Sequence, residues 1–234
     1  MFAKTRLALL VGWVTGSVAF PLLAQETTKN DTVVVTSQMQ SGATKLATPD
    51  IETPQSVSIV TREQFEEQGA TSVRQAVSYT PGVYSNQIGA SNRFDYIVLR
   101  GFSDGSLDNV YLDGLKMMGD TNSHSSLVVD PWFLEDIEVV RGPASVLYGR
   151  SSPGGIVALT SRKPSFDAGG EVKLFAGNNN QRGAAFDVTG ALDDNDRVAA
   201  RLSGMTRYAD SQFGPLKEER YALMPSLTWR ITDQ

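Results

Sequence analysis

The stretch Ile137–Pro164, IEVVRGPASVLYGRSSPGGIVALTSRKP, decides the fold of this chain. Its β-branched start predicts a buried strand, and a short helix is expected next, beginning at Pro143 and ending at Gly149. The SSPGG segment then turns the chain into a second apolar strand. Just before this stretch, DPWFLED predicts one helical turn with Asp130 as its cap and Pro131 in its first position. These short, closely spaced elements predict a compact domain.

The sequence on the N-terminal side predicts more elements of the same kind. SVSIV at Ser56–Val60 predicts a strand, and TREQFEEQG predicts a helix directly after it. Thr61 and Gln64 occupy the two positions of a capping box at the start of this helix. Gly69 is expected to end it, because glycine adopts the left-handed conformation that often follows a helix.

The next segments complete this first domain. A second short helix is predicted in TSVRQAVSYTPG, where Ser72 and Gln75 repeat the capping pattern. FDYIVLRG at Phe94–Gly101 predicts a strand, and NVYLDGLKMMG predicts a hairpin around the turn pair Asp113–Gly114. Residues 50–162 are therefore expected to form one small α+β domain.

After Pro164 the pattern changes to alternation of apolar and polar residues. Four successive segments alternate with a period of two, as half-buried strands do: EVKLFAG, RGAAFDVTGAL, VAARLSGMTRY and YALMPSLTWRI. A tight turn is predicted at Asp193–Asp196 and a longer polar loop at Ala209–Arg220. Short turns, longer loops and Tyr or Trp near strand ends are typical of an outer-membrane β-barrel, and the edge of a soluble β-sandwich is the alternative.

Four strands are too few for a membrane barrel. Closure takes at least about 8 strands, and an open edge in lipid would leave backbone amides unpaired. We therefore expect this chain to be the N-terminal piece of a longer protein.

The first residues predict a secretory signal peptide. MFAKTRLALLVGWVTGSVAFPLLAQE combines the basic Lys4 and Arg6 with an apolar run and small residues suited to cleavage. Cleavage is expected after Ala24, with Ala19 as the alternative. A transmembrane anchor is disfavoured, because the run of roughly seventeen residues is short for spanning and contains two glycines and a proline.

An isolated valine strand follows the leader. The segment DTVVVTS, Asp31–Ser37, is rich in β-branched residues that favour a strand. It lies in a polar, linker-like segment, residues 25–49, with no predicted strand partner beside it. Such a strand on a tether suits β-augmentation, in which its backbone joins the sheet edge of a partner.

The composition excludes several classes of protein. The formal net charge is −5 and no basic stripe is present, so no nucleic acid partner is expected. Cysteine is absent, which excludes disulfides, thiolate metal sites and thiol nucleophiles from this sequence. The lone His124 and a glycine spacing that does not match a phosphate-binding loop give no support for an enzyme.

The order of these parts resembles a TonB-dependent outer-membrane receptor. DTVVVTS resembles the TonB box, and the segments Arg100–Phe102, Tyr111–Gly114 and Ile137–Pro164 resemble the signature of the plug domain of that family. The stretch from YLDGLKMMGD through LTWR is also similar to ferrichrome-type hydroxamate siderophore receptors.

The resemblance implies a fold and a location. It implies an α+β plug domain followed by the first strands of an antiparallel transmembrane β-barrel, which is incomplete in this chain. The implied division is a signal peptide at 1–24, the TonB box and linker at 25–49, the plug at 50–162 and about four barrel strands at 163–234. The complete protein would lie in the bacterial outer membrane, with the plug and N-terminus reaching the periplasm.

The resemblance also implies import of a ferric siderophore driven by TonB and its inner-membrane energising complex. Pairing of the valine strand inside the plug is the alternative to TonB recruitment. Iron would arrive inside its chelate, so no cofactor bound by protein ligands is expected. Catecholate siderophores, haem, cobalamin and a non-transporting truncated product stay open as alternatives. The residues implied in TonB binding are Asp31, Thr32, Val33, Val34, Val35 and Thr36.

Four plug residues are implied as ligand contacts: Arg100, Met118, Gly119 and Trp132. An arginine suits the oxygens of a chelate, and an aromatic face supplies apolar contact. A salt bridge to the barrel wall is the alternative role for Arg100, and core packing is the alternative for Trp132. Hydroxamate receptors often carry Tyr at the Trp132 position, which leaves the identity of the siderophore open.

Overall fold

The computed structural model describes residues 39–40, 45, 48–49, 52–86, 95–102, 109–117, 119–120, 125–211 and 216–231. They all lie in one compact unit, Ser37–Gln234. The expected leader and the valine strand lie outside the described residues, as do Met118 and His124. No helix in the described ranges has the length and apolar character to cross a membrane.

Fifteen strands and three short helices make up the described elements. The strands are β1 (Met39–Gln40), β2 (Thr48–Pro49), β3 (Ser56–Thr61), β4 (Val83–Tyr84), β5 (Val98–Leu99), β6 (Val110–Leu112), β7 (Leu115–Lys116), β8 (Gly119–Asp120), β9 (Ser125–Ser126), β10 (Leu134–Arg141), β11 (Gly155–Ser161), β12 (Gly169–Ala176), β13 (Arg182–Ala191), β14 (Val198–Asp210) and β15 (Lys217–Trp229). The helices are α1 (Arg62–Glu67), α2 (Val73–Ala76) and α3 (Ser145–Tyr148), with a 3-10 turn at Pro131–Phe133.

A five-stranded sheet in the order β3-β10-β11-β6-β7 forms the centre of the first domain. The two strands predicted in Ile137–Pro164 are β10 and β11, which pair antiparallel in its middle. One face of this sheet packs against α1 and α2, and Ile137 and Val139 are fully buried there. The other face packs Val140 and Ile156 against Tyr148 of α3. We call residues 52–162 the central domain.

Local sequence signals position the ends of these elements as predicted. The Thr61 hydroxyl accepts from the Gln64 amide at 3.4 Å, and the Gln64 side chain accepts from the Thr61 amide at 3.1 Å, which completes the capping box. The Ser72 hydroxyl likewise accepts from the Gln75 amide. The hairpin of β6 and β7 turns at Asp113–Gly114, whose φ angles of 49° and 79° suit an Asp-Gly pair.

Three predicted boundaries were wrong. The strand expected over Phe94–Gly101 is only Val98–Leu99 in the described residues, because the chain turns at Arg100 and Gly101 with positive φ. Helix α3 begins after Ala144, so the predicted start at Pro143 precedes the cap. The polar loop predicted at 209–220 is shorter than expected, because β14 and β15 continue pairing to Asp210 and Lys217.

The four alternating strands form a second, antiparallel sheet in the order β12-β13-β14-β15, as predicted. Its two faces differ in character, because alternation sends every second side chain to the same face. One face contacts the central domain and carries mainly polar and small residues, with Met205 and Met224 packed against Trp132. The other is exposed and apolar: Val172, Leu174, Phe186, Val188, Leu202, Tyr221, Leu223, Leu227 and Trp229. We call β12–β15 the four-strand sheet.

Candidate ligand residues and the interface between the sheets

Arg100 lies in a tight turn of the central domain. Its φ of 51° is unusual for a residue with a side chain, and its amide donates to the Gly82 carbonyl at 2.9 Å. The side chain is exposed. Within the part of the chain that the structure describes, no carboxylate forms a salt bridge with Arg100.

A second arginine, Arg141, lies beside Arg100 at the end of β10. Its guanidinium donates to the Pro81 carbonyl at 2.8 Å and to the hydroxyls of Ser56 and Ser58 at 3.1 and 2.6 Å. Burial and the neighbouring Arg100 charge lower the pKa of Arg141. Two adjacent cations, one of them bonded only to neutral acceptors in the described contacts, make this end of the central sheet attractive to an anion.

Trp132 packs against the four-strand sheet. It is 7% exposed and forms a cluster with Ala185 and Met205. Its indole Nε1 donates to the Phe186 carbonyl at 3.3 Å. These contacts are those of a packing residue, the alternative role given by the sequence.

Three cations surround the Trp132 ring. Arg62, Arg162 and Lys173 lie 5.1, 5.8 and 6.0 Å from its centroid. An indole face attracts cations through its quadrupole, and burial strengthens that attraction. Glu171 of β12 accepts from Arg62 at 3.2 Å and lies 3.8 Å from Arg162. The ring is thus part of an ionic contact between the central domain and the four-strand sheet.

The structure does not bring the candidate ligand residues together. Trp132 directly precedes β10, whereas Arg100 lies beside Arg141 at its far end. Eight residues of strand separate them, which corresponds to about 25 Å. Gly119 lies in the short pair of β8 with β9, and Met118 is outside the described residues.

Asp130 joins the central domain to two strands of the four-strand sheet. Its Oδ1 accepts from the Trp132 amide at 3.0 Å and caps the 3-10 turn, as predicted. Its Oδ2 accepts from Arg207 of β14 at 2.7 Å and from Arg220 of β15 at 3.2 Å. The carboxylate side chain is 2% exposed, so both ionic contacts are shielded from water.

A second ionic contact has the opposite polarity. Arg162 from the central domain lies 3.3 Å from the buried Asp187 of β13. Asp187 also pairs with Arg201 at 3.3 Å and accepts from the Ser203 hydroxyl, both within the four-strand sheet. Here the central domain supplies the cation, and the acid keeps two partners of its own.

A third carboxyl, Asp95, lies in the same charged region. It is 7% exposed and accepts from the Arg74 amide at 3.3 Å. Burial raises the pKa of Asp95 to about 6, against the opposing effects of the Arg74 amide and the charges of Arg220 and Arg74.

A groove of about 470 Å³ lies elsewhere, along the edge strand β3. None of the candidate ligand residues lines it. The described residues contain no group of three acidic, histidine or cysteine side chains that could hold a metal ion. The groove is lined by Ser58, Ile59, Val60, Gln64, Glu67, Gln68, Ala76, Tyr79, Thr80 and Pro81.

The ionic contacts between the sheets were not predicted from the sequence. Asp130 was recognised only as a cap, and the arginines of β14 only as the polar side of an alternating strand. The available signal was the presence of Arg201 and Arg207 on the side of β14 opposite its apolar residues, where a buried charge needs a partner.

Comparison with known proteins gives a consistent result. The family model of the TonB-dependent receptor plug domain matches residues 49–156. The chain is 92% identical over 234 residues to a ferrioxamine B receptor of Salmonella typhimurium, and it covers 33% of that protein. It is 40% identical over 211 residues to a ferrichrome outer membrane transporter and phage receptor of Escherichia coli, covering 90% of this chain and 28% of that protein.

A solved structure of a receptor supports the same family assignment. The ferric-catecholate import receptor Fiu of Escherichia coli, in its open form, aligns with a TM-score of 0.68 at 29% identity, covering 82% of this chain and 27% of that one. The chain spans about a third of the length of the curated relatives that it matches. The chain belongs to the TonB-dependent receptors of the bacterial outer membrane, and residues 49–156 match the plug domain of that family.

Proposed function

We propose that the protein imports a ferric hydroxamate siderophore of the ferrioxamine type across the outer membrane into the periplasm. The identity of 92% to a ferrioxamine B receptor along the whole chain carries this proposal. The relative named for ferrichrome, another hydroxamate chelate, supports the same ligand class. In this proposal residues 50–162 are the plug and residues 163–234 begin a barrel that further strands close.

TonB supplies the energy for the proposed import. The outer membrane has no ATP, so uphill transport needs work delivered from the periplasmic side. Residues 31–36 would join the sheet edge of TonB as an added strand, since their β-branched side chains favour an extended backbone. A pull on this strand would then reach the plug through the linker at 37–49.

The polar interface between plug and strands suits a plug that must move. Its described contacts are mostly charged pairs and hydrogen bonds, with one small apolar cluster around Trp132. Polar interfaces of this kind separate more readily than a continuous hydrophobic core, because water can replace the lost hydrogen bonds.

Ligand contact is proposed at the outer end of the plug, and its residues remain to be tested. Arg100 is exposed and has no carboxylate partner in the described ranges, so it can serve either chelate oxygens or an acid of the barrel wall. Met118 and Gly119 are proposed from the family resemblance alone. For Trp132, its packed position favours the structural role over ligand contact.

A second candidate ligand is a catecholate siderophore. The likeness to the Fiu structure favours it, but at 29% identity this is much weaker than the likeness to the hydroxamate receptors. The relatives are named as receptors and transporters, and we propose no enzymatic activity.

The proposal is tested by uptake of radioactive iron in cells that express the gene encoding this chain as their sole receptor. Ferrioxamine B, ferrichrome and a ferric catecholate are supplied separately, with and without TonB. We expect rapid uptake of the hydroxamate complexes only when both the receptor and TonB are present. If only the catecholate complex is taken up, the ligand is a catecholate siderophore and not a hydroxamate. Uptake that is unaffected by loss of TonB would refute active transport.

A further inference from the structure

The two oxygens of Asp130 serve different parts of the molecule. Oδ1 caps the plug's own 3-10 turn through the Trp132 amide. Oδ2 accepts from Arg207 at 2.7 Å and Arg220 at 3.2 Å, which come from neighbouring strands. The charge of Asp130 can therefore be removed without removing its cap, because an asparagine side chain also caps helical turns.

Arg207 also contacts a second, distant segment of the plug. Its Nη1 donates to the Thr71 carbonyl at 3.0 Å, just before α2. The guanidinium lies 5.3 Å from the centroid of the Phe175 ring, so an aromatic neighbour in the same sheet positions it. One strand arginine thus holds two plug segments through Asp130 and Thr71.

Separation of the plug would affect the Asp187 contact and the Asp130 contact unequally. Asp187 keeps Arg201 and Ser203 when Arg162 leaves. Arg207, by contrast, loses Asp130 and Thr71 together, and no other carboxylate forms a salt bridge with it among the described residues. In the closed arrangement, removal of the Asp130 charge would leave the buried Arg207 without its acid, which is strongly unfavourable. The charge of Asp130 therefore opposes separation more than the Asp187 contact does.

We propose that Asp130 is the plug anchor: a positioning residue whose charge sets how readily the plug separates from β14 and β15. This inference rests on the proposed transport, in which the plug must leave the strands for the ligand to pass. Asp130 does not contact the ligand in this role. It acts through Arg207 and Arg220.

The test measures separation directly with cysteine reporters, because the chain contains no cysteine of its own. Ala185→Cys places a thiol at the contact between Trp132 and the four-strand sheet, where Ala185 is 4% exposed. Ala76→Cys places one inside the plug core, where Ala76 is 1% exposed. The rate of maleimide labelling of each reporter is measured in outer membranes that lack TonB, in the full-length receptor.

Each reporter is combined with Asp130→Asn, which keeps the cap and removes the charge. Asp113→Asn is the matched control, since it removes a plug carboxylate that bonds only to Ser161 among the described residues. Its φ of 49° suits asparagine. We expect Asp130→Asn to raise labelling at the Ala185 position at least about tenfold, with no change at the Ala76 position. Asp113→Asn should change neither rate.

Two results would refute the proposal that Asp130 is the plug anchor. An unchanged rate at the Ala185 position would show that the charge does not restrain the plug. An equal rise at both positions would show general destabilisation in place of separation. If Asp130→Asn fails to reach the membrane, Arg220→Gln is used in its place, because it removes one of the two cationic partners of Asp130. We then expect a smaller rise in the labelling rate at the Ala185 position.

Failure of the anchor and failure of the proposed function are distinguishable. Labelling needs neither siderophore nor TonB, so it tests the anchor alone. Absence of ferrioxamine uptake by the unaltered receptor would refute the import proposal and leave the labelling comparison intact. In a receptor that does import, Asp130→Asn should leave the affinity for ferrioxamine B unchanged.

Discussion

Trp132 illustrates how burial favours one of two proposed roles for one side chain. Trp132→Phe keeps an aromatic ring in place but removes the Nε1 donor to the Phe186 carbonyl. We expect the free energy of unfolding to fall by about 1 kcal/mol, the usual contribution of one buried hydrogen bond. The siderophore affinity should not change. Calorimetry on the purified receptor measures both quantities. A large loss of affinity would instead assign Trp132 to the ligand site.

Asp95 makes the stability of the plug depend on pH. Its pKa is raised from 3.8 to about 6 by burial, so the folded protein binds the proton more tightly than the unfolded chain does. Stability therefore falls as pH rises from about 4 to about 6, and the ionised carboxylate is unfavourable at neutral pH. Asp95→Asn should raise the unfolding free energy by about 3 kcal/mol at pH 7.

The pH dependence of this stability gain provides an internal control. The gain from Asp95→Asn should vanish below about pH 4, where the carboxyl is protonated in the folded and the unfolded state alike. Denaturant unfolding of the variant and the unaltered protein at both pH values measures the difference. A loss of stability at pH 7 would mean that the charge interactions of Asp95 with Arg74 and Arg220 outweigh its desolvation.

At the scale of elements, the four-strand sheet presents its apolar face to the outside. Leu223 lies near the middle of β15 on that face, and it is exposed. Leu223→Arg should lower the stability of the receptor in the membrane by about 2–4 kcal/mol, the range measured for charges at mid-depth on the lipid side of a barrel.

Leu216→Arg is the matched control for this element. Leu216 is equally apolar and exposed, but it lies just outside β15, where a charge reaches water and costs about 0–1 kcal/mol. Urea unfolding in phospholipid vesicles compares the two variants. Equal effects at the two positions would argue that the apolar face does not contact lipid.

The valine strand is predicted to act as an independent element. Val34→Pro removes a backbone donor and disfavours strand pairing, so it should abolish siderophore uptake. Binding at the cell surface should persist, because the proposed ligand contacts lie elsewhere on the plug. Val34→Ala is the conservative control and should retain most uptake. Loss of binding in Val34→Pro would contradict the separation of these two functions.

How far sequence predicts these elements depends on the range of their interactions. The capping box at Thr61, the Asp130–Pro131 turn and the hairpin at Asp113–Gly114 rest on residues within a few positions of one another, and all three were predicted. The strand over Phe94–Gly101 was overextended, because its composition did not reveal the positive φ that turns the chain at Arg100.

At the scale of the whole molecule, the contacts between plug and strands lay beyond sequence reasoning. Asp130 is separated from Arg207 by 77 residues and from Arg220 by 90. Alternation predicts which face of a strand an arginine occupies, but only the packing of one sheet on another selects its acid. The same limit applies to the proposed ligand residues. The family resemblance assigns both Arg100 and Trp132 to ligand contact, but the two residues lie at opposite ends of β10.

In the proposed receptor, further strands close a barrel around the plug, because the polar face of β12–β15 and the edges of that sheet need partners in the membrane. The intact mass of the protein purified from outer membranes tests this most directly. The predicted mass is about three times 25.3 kDa, since the chain spans 33% of the matched ferrioxamine B receptor. A mass at or just below 25.3 kDa would contradict a receptor built around this plug.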